Sequence, residues 1–142
     1  MIPRLPTTCE GVDKLLAGGY EQGTESLVNG EAGTGKTSMA LQLSREAINL
    51  YPDHVVLFVD TEGLSIERMT QIFGDCDASK LLMIRPSSLS DLHQTLTGKL
   101  EQHDKISLVV VDTINAYVRL SYMKNKQLSS RQFLAVSYTH LT

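Results

Sequence analysis

The chain has 142 residues, of which 42% are hydrophobic and 20% are charged. This composition predicts one folded domain and excludes a disordered chain, and no apolar run is long enough for a transmembrane helix. With no secretion signal, the two cysteines exclude a disulfide scaffold and favour a cytoplasmic protein with reduced thiols and no membrane contact.

The net charge of −3 conceals an asymmetry between two parts of the chain. All 16 acidic residues lie within residues 1–112, which carry 9 lysines and arginines. Residues 113–142 carry 4 basic residues and no acidic residue. Such a segment can form a binding surface for an anion, although scattered bases can equally solvate a helix.

Continuous apolar runs alternate with helical patterns along the chain. The runs are rich in Val, Ile and Leu, as is typical of strands buried on both faces. They occupy residues 24–30, 54–60, 81–85 and 106–112. Apolar residues spaced three or four apart predict helices over residues 39–47, 66–73 and 89–100. Ser65 is the predicted N-cap of the second, and Ser87 and Ser88 precede the third. This alternation predicts an α/β fold with a parallel sheet and right-handed crossovers.

A phosphate-binding loop is predicted at residues 30–37, where GEAGTGKT fits G-x-x-x-x-G-K-[ST] at every fixed position. Its glycines let backbone N–H groups approach phosphates at the start of a helix. Lys36 places a positive charge on the β- and γ-phosphates, and Thr37 supplies a hydroxyl to Mg²⁺. The alternative is a glycine-rich turn before an ordinary helix. The predicted ATP-contacting residues of this segment are Gly30, Glu31, Ala32, Gly33, Thr34, Gly35, Lys36, Thr37 and Ser38.

Carboxylates follow two of the predicted strands. Asp112 ends the run ISLVVVD, where the second acid on the Mg²⁺ side is expected, although it can also cap the next helix. Asp60 and Glu62 end another strand in FVDTEG, and a carboxylate at that edge can orient or deprotonate a water. For Glu62 a local turn or capping role is the alternative.

With GEAGTGKT, FVDTEG and LVVVDTINAYVR in this order, the chain resembles the RecA-type recombinase family, and most of all its archaeal RadB branch. The resemblance covers about residues 8–132 and implies a RecA-like P-loop NTPase fold with a mainly parallel sheet flanked by helices. It implies Mg²⁺ binding by Thr37 and Asp112, and catalytic roles for Lys36 and for Glu62, which would activate water. Arg68 matches an arginine that packs near the adenine; the alternative is a solvated helical arginine.

The resemblance also places a DNA-binding loop at residues 119–127, within the acid-free segment. Arg119, Lys124 and Lys126 would neutralise phosphates and Tyr122 would stack on a base, unless this is only a solvated loop. The implied protein acts in DNA repair and homologous recombination as a weak DNA-dependent ATPase that assists a RadA-type recombinase. Its implied partners are weakly bound single-stranded DNA, that recombinase and a Holliday-junction nuclease. The alternatives are a nucleotide-dependent protein-binding module and a KaiC-like signalling ATPase without a DNA role.

We expect residues 1–135 to be the N-terminal part of a RecA-type ATPase core that is incomplete at its C-terminus. Residues 136–142, VSYTHLT, resemble a translated sequencing adapter; a genuine polar C-terminus is the alternative. The second DNA loop and the last strands of the core are expected beyond residue 142. We therefore expect this exact chain to be inactive, and poorly soluble or partly folded, because apolar surface of the sheet would be exposed.

Overall fold

The fold was analysed in a computed structural model, which describes residues 3–31, 33–61, 63–114 and 133–137. For residues 89, 113, 114 and 133–137 only the backbone is described. The strands are β1 (Arg4–Leu5), β2 (Tyr20–Glu21), β3 (Glu25–Val28), β4 (Val55–Asp60), β5 (Leu81–Ile84), β6 (Ile106–Ile114) and β7 (Phe133–Ser137). The helices are α1 (Glu10–Leu15), α2 (Lys36–Leu50), α3 (Ile66–Phe73) and α4 (Leu89–Gln102), and Ala78–Lys80 form a 3-10 turn.

Five parallel strands form the central sheet in the order β3-β7-β6-β4-β5. Crossovers through α2, α3 and α4 join the strands, as the alternation of apolar runs and helical patterns predicts. The predicted α/β fold with a parallel sheet is therefore confirmed. Because all strands run in one direction, their carboxyl ends share one edge of the sheet.

The central strands β4 and β6 are buried on both faces, which explains why they are mainly apolar without alternation. In β6, Val109 and Val111 pack in the cluster that contains the α4 leucines. Leu108 and Val110 point the other way and pack with α2 and α3. Side chains that alternate between two apolar layers explain the apolar run of residues 108–111, which ends at Asp112 near the sheet edge.

Serine caps fix where two of the helices begin. Ser65 Oγ accepts a hydrogen bond from the Arg68 backbone N–H at 3.3 Å, at the start of α3. Ser88 Oγ accepts one from the Asp91 N–H at 3.0 Å, at the start of α4. Both satisfy a helix N–H that has no partner inside the helix, so the predicted capping role of Ser65 is confirmed and Ser88 caps α4 in the same way.

A small N-terminal unit packs on the α2 side of the sheet. Strands β1 and β2 pair antiparallel, and Leu5, which is 1% exposed, packs into the core on the α2 side. The turn before α1 is held by Asp13, whose Oδ1 accepts the Thr7 N–H and hydroxyl, both at 2.7 Å. Periodicity does not predict these elements, because two-residue strands and a six-residue helix are too short to show it.

Strand β7 adds a fifth strand to the four that the apolar runs predict. It lies between β3 and β6 and pairs with both in parallel. Val136 and Ser137, which the sequence places in the adapter-like segment, belong to this strand. The division at residue 135 stays a prediction, and residues 138–142 lie outside the described residues.

Both cysteines are free thiols, Cys9 exposed and Cys76 partly buried. Burial raises the pKa of the Cys76 thiol, which keeps it protonated at neutral pH. In the described part of the chain, no helix combines the length and the apolar character needed to cross a membrane.

Candidate functional site

The loop between β3 and α2 has a backbone suited to anion binding. Gly35, the residue before α2, has φ of 92° and ψ of 15°, a left-handed conformation that residues with a Cβ rarely adopt. This turn brings the chain directly into a 15-residue helix beginning at Lys36. The N-terminal N–H groups and the positive dipole end of that helix face the loop, an arrangement that suits a phosphate group.

A close approach inside the loop explains the glycine at its start. A Cβ built on Gly30 would lie 2.7 Å from Thr34 Oγ1, shorter than real Cβ contacts. Thr34 is held there because its hydroxyl donates to the Glu31 carbonyl at 2.7 Å. The Lys36 ammonium folds back over the loop and donates to the Gly30 carbonyl. The loop is thus a cradle whose first glycine has no room for a Cβ beside Thr34, and its residues fit a phosphate chain.

Thr37 and Asp112 meet across the site. The Thr37 hydroxyl donates to Asp112 Oδ2 at 2.8 Å. Asp112 is 3% exposed, near the carboxyl end of β6, and Thr37 lies in the first turn of α2. Hydroxyl and carboxylate oxygens are the ligands that Mg²⁺ prefers, so this pair fits a magnesium ion beside the phosphate cradle.

A second buried carboxylate, Asp60, lies beside Asp112. The two residues are register partners at the ends of β4 and β6, and each is 3% exposed. Asp60 accepts hydrogen bonds from the backbone N–H groups of Gly63 at 3.0 Å and Leu64 at 2.6 Å. Arg85 Nε, just beyond β5, lies 3.4 Å from Asp60 Oδ2. The ends of three neighbouring strands therefore place two acids and one base together.

The chain after β4 is also tied to β6. The Thr61 N–H donates to the Asp112 carbonyl at 2.9 Å, and its hydroxyl lies 3.3 Å from the same oxygen. Ladder pairing thus continues one residue beyond β4. The segment entering FVDTEG is held against the strand that carries Asp112.

The N-terminal unit packs against α2, the helix that follows the phosphate loop. The Tyr20 hydroxyl lies 3.8 Å from the Met39 sulfur, which places β2 against the first turns of α2. Burial, with a smaller contribution from the charge of Asp13, raises the pKa of the Tyr20 phenol. Tyr20 therefore stays neutral and acts as a packing residue here.

The structure brings together much of the site predicted from sequence. Gly30, Lys36, Thr37 and Asp112 share one edge of the sheet. Arg68 lies on α3 with an exposed side chain, so its place beside adenine stays a prediction. The predicted residues that lie outside the described part of the chain are Ala32, Glu62, Arg119, Tyr122, Lys124 and Lys126.

Two residues near the site are not among the predicted ATP, Mg²⁺ or DNA contacts, although the sequence places Asp60 with Glu62 as a carboxylate that can act on water. Asp60 is adjacent to the predicted catalytic segment in FVDTEG, and that adjacency is the signal that points to it. Arg85 follows a predicted strand, yet its pairing with Asp60 depends on β5 lying beside β4. Sequence order alone does not establish that neighbour relationship.

Comparisons with known proteins agree with this geometry. A family model described as "ATPase: KaiC" matches residues 5–81, more than half of the chain. The "DNA repair and recombination protein RadB" of Methanococcoides burtonii is 34% identical over 121 residues, which is 82% of this chain and 52% of that protein.

Other archaeal relatives bear the same printed name. The protein of Archaeoglobus fulgidus is 33% identical, over 96% of this chain and 62% of its own length. That of Pyrococcus abyssi is 34% identical, over 92% of this chain and 61% of its own length. The chain thus spans between half and two thirds of the length of these curated relatives. It belongs to the KaiC-type ATPase family and is a RadB-like member of the RecA-type recombinases.

Proposed function

We propose that this chain is the nucleotide-binding part of an ATP- and DNA-binding protein that acts in DNA repair and recombination. The observation that carries the proposal is the hydrogen bond from Thr37 to Asp112 beside the glycine cradle. It joins a phosphate site to a pair of oxygen ligands for a divalent cation. The name shared by the relatives, "DNA repair and recombination protein", supports the process.

In this proposal each described residue has a binding role. The loop N–H groups and the Lys36 ammonium bind the β- and γ-phosphates of ATP. Thr37 and Asp112 would hold Mg²⁺, which supplies positive charge to the phosphate oxygens. Glu62 is proposed to orient a water for in-line attack on the γ-phosphate, and Lys36 to stabilise the charge that develops. Arg68 is proposed to pack beside the adenine.

Nucleotide binding is tested with Lys36→Ala, measured by titration with a fluorescent ATP analogue and Mg²⁺. Loss of a charge-assisted hydrogen bond to phosphate is expected to weaken binding by about 10- to 100-fold. Lys14→Ala removes an equally charged but exposed lysine from α1 and should bind as the parent does. Equal binding by the Lys36 variant and the parent would overturn the site assignment.

Hydrolysis is proposed to be weak and DNA-dependent, and to act as a switch on binding to partners. Glu62→Gln keeps the size of the side chain and removes the base, so in the full-length protein we expect phosphate release to fall while nucleotide affinity is retained. The proposed partners are a RadA-type recombinase and a Holliday-junction nuclease. Recruitment of these partners that is unchanged in Glu62→Gln would favour a nucleotide-dependent binding module in which hydrolysis is incidental.

DNA contact is proposed for Arg119, Tyr122, Lys124 and Lys126. Three bases should give weak binding to single-stranded DNA, with a slope of log affinity against log salt of about −2. Replacing the three bases by glutamine should remove that slope, and replacing Lys14 should not. The measurement is fluorescence anisotropy of a labelled oligonucleotide at several salt concentrations.

A second candidate is a KaiC-like signalling ATPase without a DNA role. The match of residues 5–81 to the KaiC family model favours it, because that segment contains the phosphate loop but not the basic segment. Nucleotide binding together with no salt-sensitive binding of single-stranded DNA would support this candidate over the first.

A further inference from the structure

The chain on both sides of residue 62 is fixed by two different strands. On the N-terminal side, Thr61 donates its N–H to the Asp112 carbonyl of β6 at 2.9 Å. On the C-terminal side, the Asp60 carboxylate accepts the Gly63 N–H on Oδ1 and the Leu64 N–H on Oδ2. Gly63 has φ of 84°, a turn conformation that suits glycine. A one-residue interval thus lies between two anchors.

The carboxylate that makes the second anchor is itself held in place. Asp60 ends β4, is 3% exposed and lies 3.4 Å from the Arg85 guanidinium. Arg85 is 58% exposed, so it reaches the buried acid from the solvent side. A buried carboxylate that accepts two backbone N–H groups and pairs with an arginine has little freedom to move.

We infer that Asp60, fixed by Arg85, is a positioning residue that sets the place of Glu62 at the sheet edge. The inference rests on the proposed role of Glu62 as the residue that orients water. Asp60 would act through the backbone, because it accepts hydrogen bonds from the Gly63 and Leu64 amides, which follow Glu62. A catalytic acid or base contributes fully only within hydrogen-bond reach of the proton that it transfers. A loosened loop around Glu62 should therefore lower the rate of ATP hydrolysis.

The variant that tests this is Asp60→Asn, which preserves size. A carboxylate has two acceptor oxygens, whereas the amide has one acceptor and one donor group. Its NH₂ would therefore face either the Gly63 or the Leu64 N–H, and one anchor would be lost. Asp75→Asn, at an exposed aspartate after α3, is the matched control.

The direct readout is amide hydrogen exchange of Gly63 and Leu64, measured without nucleotide. We expect their exchange to rise about tenfold or more in Asp60→Asn, with the amides of β4 unchanged. Asp75→Asn should leave both amides as protected as in the parent. Equal protection of Gly63 and Leu64 in Asp60→Asn and the parent would overturn the inference.

The kinetic readout separates positioning from a general structural effect. In the full-length protein, Asp60→Asn should lower kcat for ATP hydrolysis about tenfold and leave nucleotide affinity within about twofold of the parent. Arg85→Met should lower kcat, whereas Arg85→Lys, which retains the charge, should keep most of the parent rate. A loss of affinity with unchanged kcat would contradict a positioning role.

The double variant Asp60→Asn with Glu62→Gln distinguishes the two proposals. If Asp60 acts through Glu62, the double variant should hydrolyse ATP no more slowly than Glu62→Gln alone. A further loss in the double variant would overturn the inference and leave the proposed function intact. Unchanged hydrolysis in Glu62→Gln alone would overturn the proposed role of Glu62, and this inference with it.

Discussion

Thr37 donates its hydroxyl to Asp112 Oδ2 at 2.8 Å, although the two residues are 75 positions apart in the chain. Thr37 belongs to α2, the helix after the phosphate loop, and Asp112, the other predicted Mg²⁺ ligand, belongs to β6. Because β7 separates β3 from β6, this side-chain bond links parts of the site that no ladder hydrogen bond joins directly.

Replacing Thr37 with valine should weaken metal-dependent binding and lower stability. The substitution keeps the shape, removes the hydroxyl and leaves the buried Asp112 carboxylate with one donor fewer. We expect the free energy of unfolding to fall by about 1–3 kcal/mol. The Mg²⁺-dependent gain in affinity for a nucleotide should also shrink, as measured by titration with and without the ion. Thr37→Ser retains the hydroxyl and should behave as the parent; a serine variant as weak as the valine variant would contradict this account.

The close approach at Gly30 predicts a rescue. In Gly30→Ala the new Cβ would meet Thr34 Oγ1 at 2.7 Å, so the Thr34 side chain must leave its bond to Glu31 or the loop must move, and nucleotide affinity should fall about tenfold or more. Adding Thr34→Ala removes that oxygen and should restore most of the lost affinity. The comparison is made by titration of a nucleotide analogue into the single and double variants. A double variant no better than Gly30→Ala would locate the cause elsewhere.

Ala17→Gly should stabilise the fold. Ala17 has φ of 55°, a left-handed conformation that costs an L-residue about 1–2 kcal/mol. Glycine avoids that cost but loses more backbone entropy on folding, so we expect a net gain of about 0.5–1 kcal/mol.

Gly98→Ala, inside α4 with nothing within 4 Å of the new Cβ, should also stabilise by about 1 kcal/mol. Chemical denaturation measures both; a less stable Ala17→Gly would show that the left-handed conformation carries no cost.

Lys105 should control the acid titration of Asp53. The Lys105 ammonium donates to Asp53 Oδ2 at 3.0 Å and, with a smaller contribution from His54, lowers the pKa of Asp53 to about 2. Because the folded pKa is lowered, the stabilisation from this group is complete above the ordinary pKa of aspartate. It is lost as pH falls from about 4 towards 2.

Lys105→Ala should therefore raise the pKa of Asp53, measured by NMR titration of the carboxyl carbon. The bond from His54 remains, so the pKa should stay below the ordinary value. Lys14→Ala, which removes the same charge from α1, should leave the titration unchanged. An unchanged pKa in Lys105→Ala would show that the Lys105–Asp53 bond does not form in solution.

Local patterns in the sequence were enough to predict the central layers of the fold. The apolar runs that form β4 and β6 are continuous because their side chains alternate between two apolar helix layers. Ser65 lies directly before the apolar pattern of α3 and caps it as predicted. The phosphate loop was predictable because every backbone feature it needs lies within eight consecutive residues.

Features that depend on distant parts of the chain could not be predicted in this way. The insertion of β7 between β3 and β6 is a property of the sheet order, which no local pattern contains. The pair of Asp60 and Arg85 likewise needs β4 and β5 side by side. The N-terminal turn held by Asp13 has elements too short for periodicity to indicate them.

The position of β7 also affects when the nucleotide site can form during folding. Strand β3, which precedes the phosphate loop, pairs with the rest of the sheet through β7, whose residues follow Asp112 in the chain. During synthesis, Thr37 and Asp112 therefore leave the ribosome before β7, the strand that connects β3 to β6 and so brings the two residues together. Long-range parallel pairing is slow because the loop must close before its contacts form. Nucleotide capture should thus be a late event in folding, and the appearance of nucleotide binding on a refolding chain would time the closure of the sheet.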